Sequence, residues 1–442
     1  MQFKGAGLAT AVALALVMNS VHAEGISDGK LKIGVMADMS GTYADVCGKG
    51  CVAAVEMAVK DFGGKVLDKP IEVISADDQN KPDIGSALAR EWVDKEKVDA
   101  IGGIVASSVG LAVSKVATEA KKPLLISTAG STAFTSKACS PFNAQWTYDV
   151  AALANGTVKP LVAAGKKKWY FITADYEFGN ALEKVASGVI EKNGGTVAGA
   201  VKVPLGTTDF SSYILQAQSS GADAVAFANA GKDFVNSLKA AHEFGLDKQA
   251  TMVGLLVFAS DVQAIDPAVI GDMRLTTGFY SEMDDKTKEW SKRYKETFGK
   301  TPGMGQAGAY SATMHYLNAV KEAGTDEGEA VMAKMKASKP DDFFARNAVL
   351  RADGRMVHDM YQVRVKKADE RKSEDDIFEI EKTLSGDEVY LPMVAECDFG
   401  GKADKEAKPA KDSKDDKDAK ESKDSKDSKD DKDSKESKDK AK

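Results

Sequence analysis

The chain has 442 residues, 43% apolar and 29% charged, with a formal charge of −7. That is more than one hydrophobic core usually holds, so two domains are expected. Setting aside an N-terminal leader (+1, from Lys4) and a C-terminal tail with 15 lysines against 14 acids, the body carries −9, which argues against nucleic acid as a partner.

Residues 1–23 read as an export signal. Lys4 gives a positive start and residues 5–18 (GAGLATAVALALVM) carry no charge. Val21-His22-Ala23 then sets small residues at −3 and −1 of a cleavage point before Glu24. The run is too short for a transmembrane helix. No Cys follows the cleavage point, so the mature protein is expected in the periplasm without a lipid anchor.

Short β-branched runs then alternate with helical patterns. Strands are predicted at 31–37 (LKIGVMA), 71–76, 98–105 and 123–127, with helices from 52, 84–96 and 109–120 between them. The theme restarts with strands at 168–173, 197–203, 222–228 and 251–258 and helices at 181–191, 210–219 and 234–244. Such alternation with short links means parallel sheets covered on both faces, so the class is α/β with two lobes. A strand at 274–280 and helices at 286–298 and 308–323 are expected to return to the first lobe, and 356–366 to form a late strand in the second. The division is 24–146 with 263–340 for lobe I, and 147–262 with 341–400 for lobe II. Residues 401–442 are Lys, Asp, Ser and Glu with no apolar residue larger than Ala or Pro. They cannot offset ordering entropy by burial, so a disordered tail is expected.

Four cysteines allow three pairings. Cys47 and Cys51 lie close together in a loop entering a helix. Cys139 sits in a polar loop and Cys397 ends the folded part. The favoured set is Cys47–Cys51 with Cys139–Cys397, the second fastening the C-terminus to the body. The rival, a metal site on Cys47 and Cys51, lacks further ligands, because His242, His315 and His358 are all remote in sequence. No metal or cofactor is expected.

In open parallel sheets, ligands bind beyond the carboxyl ends of the strands. The loops there in the first lobe are 38–43, 76–80, 106–108 and 128–132; in the second they are 174–179, 229–231 and 255–258. Ser107-Ser108 and Gly130-Ser131 precede helical or turn structure, whose free N–H groups suit a carboxylate. Simple N-capping explains either serine equally well. The second lobe supplies aromatic and apolar residues, suited to a compact organic body. No catalytic set emerges: there is no G-x-S-x-G and no H-E-x-x-H. The three histidines read as packing or surface. Residues 303–308 spell G-x-G-x-x-G but follow Thr301-Pro302 rather than a strand, which argues against a dinucleotide site.

The order of several segments carries a family resemblance: KIGVMADMSGTYADVCGKG, IEVISADDQNKP, DAIGGIVASS, KKPLLISTAGSTAFT, WYFITADYEFGNAL, TTDFSSYILQAQSSGADAVAFANAG and FGKTPGMGQAGAYSATMHYLNAV. From Glu24 to Cys397 the chain resembles the type I periplasmic solute-binding proteins, in the branched-chain amino acid and amide group that feeds ABC transporters. The resemblance implies a non-enzymatic monomer with two Rossmann-like lobes joined by a three-strand hinge. The lobes would close on a small molecule and deliver it to an inner-membrane permease. It places ligand contacts at Ala106–Ser108, at Ala129, Gly130 and Ser131, and near Tyr176 and Phe178. One departure matters: amino-acid binders of this group carry an acid after the last second-lobe strand, where this chain reads Gly254-Leu255-Leu256-Val257-Phe258. Asp149, beside Tyr148, is either a substitute acid or a helix cap. The candidate ligand set is Tyr43, Ser107, Ser108, Ala129, Gly130, Ser131, Tyr148, Tyr176, Phe178, Asn229 and Leu256. The expected ligand is a small carboxylate with an apolar or aromatic body, ahead of a branched-chain amino acid. A ligand sensor for a receptor and a flavodoxin-like enzyme are the alternative classes.

Overall fold

The predicted alternation of strand and helix assembles into two parallel sheets in the computed structural model, which describes residues 25–399. The leader and the charged tail lie outside the described residues. In the first sheet the order is Lys65–Val66, Lys69–Asp77, Leu31–Ala37, Ala100–Gly103, Leu124–Ile126 and Asn143–Gln145, parallel except for the opening hairpin. Leu31–Ala37 is buried along its whole length because helices cover both faces. The second sheet orders Thr251–Gly254, Ala224–Ala228, Lys168–Ala174 and Thr196–Val203, all parallel. A third, antiparallel sheet of Arg274–Thr277, Met360–Val365 and Phe378–Leu384 shares a hydrophobic core with the second.

Two sequence expectations change here. Arg274–Thr277 does not return to the first lobe, because it pairs with Met360–Val365 beside the second sheet. The return comes with Asp285–Phe298, whose Tyr294 hydroxyl donates to the Gly50 carbonyl at 2.9 Å, and with Met304–Ala323, which packs on Gly48–Phe62. The strand expected at 251–258 stops at Gly254. There the chain folds back so tightly that a Cβ would fall 2.4 Å from the Val257 side chain. Asn143–Gln145, Val150–Ala163, Gly328–Ala337 and Phe378–Leu384 are elements that the pattern did not suggest.

The G-x-G-x-x-G segment opens the helix Met304–Ala323 and serves packing. A Cβ on Gly305 would lie 2.7 Å from the Val46 carbonyl oxygen, and one on Gly308 would lie 2.1 Å from Thr147 Oγ1. Both favoured disulfides are present, Cys47–Cys51 with Cα atoms 4.9 Å apart and Cys139–Cys397 at 5.9 Å. Segments 146–149, 278–284 and 358–359 link elements on the side of the first parallel sheet to elements of the second and third sheets, and are called the first, second and third crossings. The chain passes the hinge once more at 390–397, where Cys397 is bonded to Cys139 of the first lobe.

Candidate functional site

A narrow cavity of about 10 Å³ lies between the lobes, lined by Tyr43, Val46, Val105, Thr128, Tyr148, Tyr176, Phe178, Ala230, Leu256 and Phe258. Apart from Tyr148, which sits on the first crossing, every lining residue follows the carboxyl end of a parallel strand. Parallel sheets leave such positions open to a ligand. Of the predicted residues, Tyr43, Tyr148, Tyr176, Phe178 and Leu256 meet in this cavity.

Local hydrogen bonding fixes its walls. Asp38, at the end of the first strand, accepts from the backbone N–H of Gly41 (2.6 Å) and Tyr43 (2.8 Å) and from Asn80 Nδ2 (2.5 Å). This turn presents Tyr43, whose hydroxyl meets that of Tyr176 across the lobes at 2.7 Å. The Tyr148 hydroxyl donates to the Thr128 carbonyl. Gly130 allows the rings to approach: a Cβ there would stand 2.8 Å from Tyr148 and 3.2 Å from Phe178. Burial pushes the phenols of Tyr43, Tyr148 and Tyr176 upward, so all three are neutral at ordinary pH.

The predicted polar residues are not part of the cavity lining; Ser107, Ser131 and the Asn229 amide nitrogen bond to protein groups, while Asn229 Oδ1 meets no partner among the described residues. Ser107 Oγ accepts from the Ser131 N–H at 3.1 Å. Ser131 Oγ accepts from the Ala133 N–H and donates to Glu177 Oε1 of the opposite lobe at 2.8 Å. Ser108 is half-buried in the first turn of Ser107–Glu119. Ala129 is buried and its carbonyl accepts from Gln145 Nε2 at 2.9 Å. Asn229 Nδ2 donates to Ser237 Oγ at 3.1 Å. Asp149 proves to be a cap: it accepts from the Ala152 N–H at 2.8 Å and is fully buried beside Arg355.

A buried acid near the cavity, Asp233, lies in the first turn of Lys232–Glu243 and is not itself part of the cavity lining. It is 2% exposed; one oxygen accepts from the Gly206 N–H at 3.1 Å, and Oδ1 meets no partner among the described residues. Its charge is felt by both Tyr43 and Tyr176, and burial raises its own pKa to about 6. Asp261, raised by burial to about 7, closes the 255–258 loop by accepting from the Phe258 N–H at 2.9 Å. Sequence reading did not single out Asp233, because it looked for an acid only after the last second-lobe strand. The GKD step that opens the 232–243 helix was the available signal.

Two α/β lobes that each contribute one wall of a small central cavity define a solute-binding protein of the two-lobed class. Residues 30–371 match the periplasmic binding protein family, and the chain belongs to it. It is 43% identical to a periplasmic binding protein from Burkholderia mallei, with a TM-score of 0.82 over 84% of this chain and 99% of that one. A branched chain amino acid ABC transporter periplasmic ligand-binding protein from Burkholderia xenovorans LB400 is 36% identical, with a TM-score of 0.73 over 82% and 97%. The Leu/Ile/Val-binding protein homolog 6 of Brucella melitensis biotype 1 is 26% identical over 72% of this chain and 83% of its own.

Proposed function

We propose that the protein captures a small organic carboxylate between its lobes and delivers it to the inner-membrane permease of an ABC importer. The ligand has an apolar or aromatic body and carries a hydrogen-bond donor, either an ammonium or a hydroxyl. The observation behind this is the aromatic-walled cavity, with a buried acid, Asp233, close enough to act electrostatically on the Tyr43–Tyr176 pair and with one carboxylate oxygen unpartnered among the described residues. The rings suit the body. The N-terminus of Ser107–Glu119 and the 129–131 loop suit the carboxylate once Ser131 exchanges its bond to Glu177. A buried acid accepts a charged or phenolic donor strongly. The name of the Burkholderia xenovorans relative supports an amino acid as one such ligand.

Calorimetry against leucine, valine, 4-hydroxybenzoate, hydroxycinnamates and benzoate tests the reading. We expect micromolar binding of at least one donor-bearing compound and weaker binding of benzoate, which has no donor. Equal affinity for benzoate would remove the role given to Asp233. Turnover of the bound compound would overturn the transport reading in favour of an enzyme.

A further inference from the structure

We propose that Arg355, just before the third crossing, and His358, on it, clamp the first crossing and thereby act as positioning residues for Tyr148. Three consecutive carbonyls of the first crossing face these two side chains. Arg355 donates from Nη2 to Trp146 O at 2.6 Å and from Nη1 to Tyr148 O at 2.8 Å. His358 Nε2 stands 2.8 Å from Thr147 O, with the Tyr390 hydroxyl 3.0 Å from the same nitrogen. Both residues are fully buried. The guanidinium also donates from Nε to Met356 O at 2.9 Å and lies 4.7 Å from the centre of the Tyr390 ring.

Burying an arginine is costly, and an apolar side chain of similar size often serves stability as well or better. What the guanidinium adds is directional hold on carbonyls that no sheet ladder pairs. The second crossing joins the same knot: a Cβ on Gly278 would lie 3.3 Å from both His358 Cε1 and Thr147 O. The peptide planes of 146–148 therefore turn only together with the third crossing. Tyr148, whose ring lines the cavity, turns with them. Its placement and the angle between the lobes become one variable.

The test uses the full chain with spin labels on cysteines introduced at Lys60 and Lys192, exposed positions on opposite lobes. Interlobe distance distributions are measured without ligand in the parent, R355M, R355K and H358Q. We expect R355M to broaden the distribution and R355K, which keeps one donor, to restore it in part. An unchanged distribution in R355M overturns the clamp; if R355M does not fold, R355K and H358Q decide by the same criterion. The link to Tyr148 rests on the cavity being the ligand site. Its probes are leucine and 4-hydroxybenzoate, for which R355M should weaken binding at least tenfold in the parent background but not in Y148A. Equal losses in the two backgrounds overturn the positioning role. If neither probe binds the parent, the ligand reading fails, while the distance measurement still decides the clamp.

Discussion

His358 carries a pH dependence of definite sign. Burial, with Arg355 nearby, holds its pKa down at about 4. Between pH 6.5 and 4 the unfolded chain binds a proton that the folded chain refuses, so stability falls as the pH falls through that window. The whole window is worth roughly 3 kcal/mol. In urea titrations H358Q should lose less stability than the parent between pH 6.5 and 4; parallel profiles would mean that another group governs the acid limb. Asp233 behaves oppositely. Its pKa is raised to about 6, so its contribution is present below pH 4 and lost as pH rises through 6. For a ligand held by the ionised carboxylate, affinity should fall below about pH 6. D233N should weaken such a ligand by about ten- to a hundredfold, the worth of a hydrogen bond to a charged group. An unaltered dissociation constant in D233N would place the ligand elsewhere.

Among the elements, those set by local pattern were legible and those set by distant partners were not. The run LKIGVMA announces a strand buried on both faces, and Leu31–Ala37 is one. The residues after Gly254 have equally apolar character, yet they form the loop that carries Leu256 and Phe258 to the cavity, because Asp261 caps the turn from outside the run. Arg274–Thr277 takes its place from pairing with residues about ninety positions later, which no window of sequence displays. Five predicted site residues line the cavity because loop positions at strand ends follow from topology. The serines were legible as positions, but their bonds to Ser131 and Glu177 were not. Close helix packing also gives a prediction. A Cβ on Gly156 would lie 2.3 Å from Thr276 Oγ1, where Val150–Ala163 crosses the antiparallel sheet. G156A should therefore cost about 1–3 kcal/mol, measured by denaturant unfolding. The disulfide Cys139–Cys397 closes a loop 258 residues long, and replacing both cysteines by serine should cost about 2–5 kcal/mol by the same measurement. Parent-like stability would mean that the strap is held without it.

For the whole molecule, the contacts across the cleft describe a closed arrangement. Tyr43 meets Tyr176, Ser131 donates to Glu177, and the Lys232 N–H donates to Thr42 O at 3.2 Å. A ligand touching both lobes favours this form by its differential affinity. Solution scattering should show a smaller radius of gyration at saturation than without ligand, and E177A should enlarge the unliganded value. No change on saturation would count against closure. The anchoring of the described chain has a practical corollary. The Gly25 N–H donates to Gly324 O at 2.8 Å, and Cys397 is bound to Cys139, so the first and last described segments are both fastened to the first lobe. Both ends of the described chain therefore belong to the first lobe, with the second lobe formed from segments between them. A fluorescent protein fused at either end would ride on one lobe and stay blind to closure. An optical biosensor built on this scaffold needs its second fluorophore in the far lobe, for which the exposed turn at Asn193 and Gly194 offers a site.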